Sequence, residues 1–174
     1  NDVAKEVAEG KRTKVQDILR GLRSIYLSDA RFSNAFAEKQ LKTTYARNNR
    51  LVRYILFQLE RHLTNREYDS DSERYTIEPI LPENPSDHWT QFSDDEVERF
   101  VYRLGNMTLL QAAPNRNLGN KPFTDKCEAY NASEFEITRK VAEENREWNV
   151  ERIAARQRNM AKQATAIWRI AQLA

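Results

Sequence analysis

The sequence predicts a mainly α-helical domain with a small two-stranded insertion. Three observations carry this. Only 4 Gly and 5 Pro occur in 174 residues, so few positions interrupt a helix. Apolar residues recur at intervals of three and four in both halves of the chain. Strand propensity is confined to two short stretches, residues 75–77 and 107–110, each beside turn formers.

Taken in order, Val15, Ile18, Leu19, Leu22 and Ile25 make one helical stripe. Phe32 and Phe36, four apart, mark a short helix within residues 29–41. Leu51, Val52, Ile55, Leu56, Leu59 and Leu63 form a stronger stripe. Residues 64–74 are polar and read as a loop. Tyr75, Thr76 and Ile77 favour a strand. Pro79, Pro82 and Pro85 then forbid a regular ladder, which makes that strand short or an edge. Ser93 and Glu96 have capping-box spacing ahead of Val97, Phe100, Val101 and Leu104, and Gly105 is expected to end that helix. Residues 107–110 make the second strand. Pro122 suits the first turn of a helix reaching about Tyr130. Ser133 and Glu136 repeat the capping-box spacing. Asn149 is placed to cap the last helix, with Trp148 and Ile153 as a hydrophobic staple and Val150, Ile153, Met160, Ala164, Ile167 and Ala171 inward.

Charged residues are 31% of the chain and the mean hydropathy is −0.83, values of a soluble globular domain. No apolar run reaches the roughly 18 residues of a membrane span. No basic segment followed by an apolar run marks a signal peptide, so a cytoplasmic location is expected. The start at Asn1 is expected of a piece of a longer protein. Cys127 is the single cysteine, which rules out an internal disulfide and a Cys-rich zinc knuckle. The net charge of +2 hides a segregation: residues 11–66 hold 13 Lys/Arg against 4 Asp/Glu, and residues 67–100 hold 2 against 11. A basic helical block beside an acidic loop suits a phosphate-binding face next to a metal-binding edge, or two complementary solvated surfaces.

The stretch Ile77-Glu78-Pro79-Ile80-Leu81-Pro82 is followed by Trp89 and by Arg103-Leu104-Gly105-Asn106-Met107-Thr108-Leu109-Leu110. Then come Asn115, Leu118, Gly119, Asn120, Phe123 and Lys126, and after them Tyr130, Ser133, Trp148, Ile153, Arg156 and Trp168. As a set these resemble the C-terminal HNH endonuclease domain of GmrSD-type restriction proteins over roughly residues 45–170. The phosphorothioate-sensing Ssp restriction proteins are similar in layout. The fold this implies is mainly α with a small embedded two-stranded ββα-metal (HNH) motif. Its parts are a basic helical region over residues 1–66, an HNH-like motif with its loop over 67–132, and C-terminal helices over 133–174, in one compact domain.

The function implied is nicking of double-stranded DNA in modification-linked defence against phage, with Mg²⁺ or Mn²⁺ as cofactor. The resemblance makes Glu78 and Asn115 the metal ligands and Asn106 the residue that fixes the loop. It puts Pro79 where the family has its general-base histidine. Arg103, Arg116, Lys121 and Lys126 flank the motif as candidate phosphate contacts. The implied partner is a nucleotide-hydrolysing or sensing domain N-terminal to this one.

Proline offers no proton acceptor. Three explanations stay open: a natural pseudo-nuclease, a histidine lost by substitution, or another group serving as base, with His88 nine residues on as the neighbouring histidine. A non-catalytic DNA-binding or partner-docking module is the rival function.

Overall fold

The computed structural model describes residues 2–171 and 173, without the side chains of residues 114, 116 and 117. Its architecture is mainly helical with one two-stranded antiparallel sheet. The helices are α1 (Asp2–Ala8), α2 (Val15–Leu22), α3 (Asp29–Ala37), α4 (Ala46–Thr64), α5 (Asp94–Phe100), α6 (Ala112–Leu118), α7 (Phe123–Asn131), α8 (Glu136–Glu144) and α9 (Val150–Trp168). The strands are β1 (Tyr75–Pro79) and β2 (Met107–Gln111). Among the described residues no helix is long and apolar enough to cross a membrane.

The sheet sits between two apolar clusters. Met107 and Leu109 of β2 face a cluster built on Val52, Leu56 and Leu59 of α4 with Phe135 and Met160. Leu110, with Ile80 just beyond β1, joins Trp89, Phe123, Tyr130, Trp148 and Ile153 on the other side. Period-two alternation thus feeds both clusters, and every residue from Met107 to Leu110 is buried. Register pairs Glu78 with Thr108 and Pro79 with Met107. The proline closes the ladder where its missing N–H costs least, so β1 runs two residues further than the expected stretch 75–77.

Several helix ends differ from the sequence expectation. The α2 stripe buries no residue, and Val15 and Ile25 are exposed. α5 ends at Phe100, well before Gly105. Gly105 instead lies in a 3-10 turn over Leu104–Asn106 pressed on α9. A Cβ there would stand 2.2 Å from the Ile153 carbonyl oxygen, so glycine is needed for close approach and not for stopping a helix. Ser133 does not build a capping box, because α8 begins after Phe135.

The cap of α8 comes from far away in sequence. Glu60 of α4 is fully buried, and its two carboxylate oxygens accept from Glu136 N (3.0 Å) and Ile137 N (2.8 Å). A carboxylate at a helix start meets the free N–H groups and the positive end of the dipole together. Glu60→Ala is expected to lower unfolding free energy by about 2–3 kcal/mol, read as a lower urea midpoint with an unchanged slope, because two buried donors lose their acceptor.

By contrast, the Ser93–Glu96 capping box and the Asn149 cap form as expected. Trp148 and Ile153 are both fully buried in one cluster.

Candidate active site

Asn106 is the centre of the loop architecture. It is fully buried, and its side-chain oxygen accepts from Leu81 N (2.8 Å) and Trp148 Nε1 (3.0 Å). Its amide nitrogen donates to the carbonyls of Leu81 (2.9 Å) and Val101 (3.0 Å). Both lone pairs and both protons are used, the full capacity of an asparagine side chain. The chain leaving β1 is thereby tied to the end of α5 and to Trp148. Ile80 N adds a bond to the Asn106 carbonyl at 2.9 Å. The 3-10 turn carrying Asn106 is clamped from α9. Arg156 donates to the carbonyls of Gly105 and Met107, each at 2.8 Å, and the Gln157 amide oxygen accepts from Gly105 N at 3.1 Å. Burial pulls the Arg156 guanidinium down to about 10.

Glu78 and Pro79 are neighbours in sequence and face opposite ways, as strand pleating requires. The Glu78 carboxylate is nearly sealed from solvent, with its side chain 4% exposed. Its Oε1 accepts from Lys126 Nζ at 2.7 Å and from Tyr130 Oη at 3.1 Å. Lys126 is itself fully buried, lies over the Trp89 ring at 5.7 Å, and donates a second bond to the Pro79 carbonyl at 3.1 Å. Burial pushes the Glu78 carboxyl up, and the Lys126 charge opposes that shift. Burial pulls the Lys126 ammonium down, opposed by Glu78. The Tyr130 hydroxyl is raised well above its usual range, first by burial and then by the carboxylate beside it.

The Pro79 ring lies on the other side of the strand. It lines a cavity of about 240 Å³ together with Thr43, Thr44, Asn49, Glu83 and Tyr102. Glu83 is the one carboxylate in that lining. Burial raises the Tyr102 hydroxyl, and Glu83 raises it further.

Asn115 stands within α6, packed on the start of β1. Its amide nitrogen donates to Thr76 Oγ1 (2.7 Å) and the Ile77 carbonyl (3.3 Å). Those bonds pin the nitrogen and leave the side-chain oxygen outside them. Asn115 is thus tied to the two residues that precede Glu78 on β1, and the pair comprises one carboxylate and one amide oxygen. This hard-oxygen donor set fits Mg²⁺ or Mn²⁺ in kind, since those ions keep several waters and need few protein ligands. The Lys126 ammonium is the cation beside the carboxylate in this structure. Among the described residues no three His, Cys, Asp or Glu side chains gather into a metal-binding group.

The expected phosphate contacts divide. Lys126 is spent on Glu78. Arg103 is also buried, donating to Gln157 Oε1 (2.9 Å), Glu38 Oε2 (2.7 Å) and the Ala37 carbonyl (2.6 Å). Both are corrected from surface contacts to internal cations, because their charges already have close partners inside the protein. Lys121 is exposed between α6 and α7, and the Arg116 side chain lies outside the described residues. His88 is exposed on a 3-10 turn over Asp87–Trp89 and does not line the Pro79 cavity. Cys127 is half-buried, and burial lifts its thiol to about 11, which removes it as a nucleophile at neutral pH.

The Glu78–Lys126–Tyr130 cluster was missed from sequence, though a signal existed. Phe123, Lys126 and Tyr130 are spaced three and four apart, which puts the lysine on the buried face of α7.

No curated protein matches the chain. The family model described as GmrSD restriction endonucleases, C-terminal domain, matches residues 26–163. That span takes in α3 through most of α9, including the hairpin, the Asn106 turn and the buried cluster. The chain belongs to the family of C-terminal domains of GmrSD restriction endonucleases.

Proposed function

We propose that this domain is the DNA-cutting effector of a restriction protein and that its cutting is strongly impaired by Pro79. The observation that carries the reading is the set β1–β2–α6 held by Asn106. The second strand of an antiparallel pair runs straight into a helix, and a fully bonded asparagine fixes the residues just past Pro79. This is the layout expected of a ββα-metal nuclease. In it Glu78 and Asn115 would hold the divalent cation, which when bound supplies charge stabilisation to a phosphodiester under attack.

The protein's own residues support both parts of this reading, the scaffold and the impairment. Asn106 holds the loop, and Asn115 is oriented by Thr76 and Ile77. At the base position the Pro79 ring has no atom able to take a proton from water. Residues 1–66 form the basic helical part, 67–132 the motif, and 133–174 the supporting helices. Double-stranded DNA is the substrate. A nucleotide-hydrolysing or sensing domain N-terminal to this one is the partner, which the C-terminal description of the family supports.

Plasmid nicking tests the reading. In Mg²⁺ or Mn²⁺ the chain as it stands should leave supercoiled DNA almost intact, and Pro79→His should open it. The gain should vanish in EDTA. A folded, DNA-binding Pro79→His protein that never nicks with either metal would overturn the proposal.

A further inference from the structure

With Arg103 and Lys126 inside the protein, a DNA backbone needs other cations. Lys39, Lys42, Arg47 and Arg50 fall within one stretch that has no acidic residue between them. All four are exposed, and among the described residues none of them is in an ion pair. The Lys42 ammonium rests over the rings of Tyr45 (5.9 Å) and Tyr102 (5.6 Å), held by aromatic faces and not by a carboxylate. Arg47 and Arg50 are three apart on α4, on one face of its first turns. Thr43, Thr44 and Asn49 from this same segment line the cavity against Pro79. Exposed cations thus flank in sequence the residues that line the cavity with Pro79: Lys42 precedes Thr43 and Thr44, and Arg50 follows Asn49.

We infer that the start of α4, with the cavity against Pro79, is the seat of the DNA backbone. Arg47 and Arg50 take phosphates by charge, and Thr43, Thr44 and Asn49 donate or accept at the strand that enters the cavity. Such contacts position a duplex and carry little sequence information. Glu83, the carboxylate in the lining, repels a phosphate there and sets the balance of affinity. The inference rests on the nuclease reading only for its substrate, and its test is a binding measurement that needs no cutting.

The experiment is fluorescence anisotropy of a labelled 20-base-pair duplex with the full chain in EDTA, over a series of salt concentrations. For Arg47→Ala with Arg50→Ala, the slope of log affinity against log salt should fall by about 1.8. Affinity should drop roughly 60-fold at about 0.1 M salt, the loss expected for two counterion-releasing contacts. Lysines at both positions should keep most of the slope, because a point charge suffices for a phosphate. Glu83→Gln should tighten binding several-fold. Unchanged slope and affinity in the double alanine variant would overturn the inference, as would a Glu83→Gln protein that binds more weakly. The two arginines are exposed, so the fold survives their truncation. If Pro79→His never nicks while the arginine variants lose DNA, the nuclease reading fails and the DNA seat stands. If Pro79→His nicks and the arginine variants bind normally, the reverse holds.

Discussion

Pro79→His is expected to raise the single-turnover nicking rate by about 10² to 10⁴, the usual worth of a positioned general base. That gain corresponds to about 2.7–5.4 kcal/mol off the barrier. The position is already prepared. Asn106 locks Leu81 from both its N–H and its carbonyl, and Ile80 N bonds the Asn106 carbonyl. A histidine introduced there inherits a fixed backbone without having to order a loop. Pro79 closes the ladder opposite Met107, so the exchange restores an N–H at a strand end and disturbs no interior ladder position. An unperturbed imidazole titrates near 6.5, so the new activity should rise with pH through about 6–7 and then level off. A rate that ignores pH in this window would mean that the histidine is not the base.

Lys126→Met is expected to cost about 3–5 kcal/mol of stability at pH 7–8, because it strands the Glu78 carboxylate in the interior. The sign of its pH dependence follows from the direction of the shift. Burial raises the Glu78 carboxyl, so the folded state holds that proton more tightly than the unfolded chain does. Its contribution to stability is complete below the ordinary carboxyl range near 4.3 and is lost as pH rises through the folded value. Removing the ammonium removes the opposing influence and raises the carboxyl further. The deficit of Lys126→Met should therefore be largest at pH 7–8 and shrink toward pH 5. Adding Glu78→Gln should recover most of the loss, since two neutral groups replace a lone charge. Chemical denaturation of the wild type, both single variants and the double variant at the two pH values completes the cycle. A deficit independent of pH and unrelieved by Glu78→Gln would show that Lys126 acts through packing alone.

The buried pair also bears on chemistry. Glu78 is tied to Lys126 and Tyr130 through one oxygen, and the same ammonium reaches the Pro79 carbonyl. A divalent cation held by Glu78 has to share that carboxylate with Lys126 or displace it. Two positive charges a few ångströms apart in a poorly solvated site repel strongly. Under the proposed reading, any metal affinity of Glu78 would be coupled to the position of one lysine on α7.

Much of the fold was legible in the sequence because local rules decide local elements. The Ser93–Glu96 box and the Asn149 cap depend on residues three apart, and both form. The α4 stripe buries Val52, Ile55, Leu56 and Leu59, since helical periodicity fixes one face whatever lies opposite it. The family was legible by a different route, the resemblance carried by Glu78, Asn106, Asn115 and the tryptophans in their order, and the matched residues show that family. Trp89 and Trp148 are buried, as aromatic packing predicts. What the sequence by itself determined is this local grammar: the helices, the two short strands, and a proline without a proton acceptor.

Only the tertiary structure decided where charges end up. Glu60 caps a helix 76 residues on, Gln157 joins Gly105 to Arg103, and Lys126 turns inward to Glu78. Each is a polar group whose burial is tolerable only because a distant partner meets it, and partners far apart in the chain leave no periodic trace. For the same reason Arg103 and Lys126 read as surface cations until the fold enclosed them. Arg47 and Arg50, equally charged in the sequence, stayed outside, and among the described residues neither is in an ion pair.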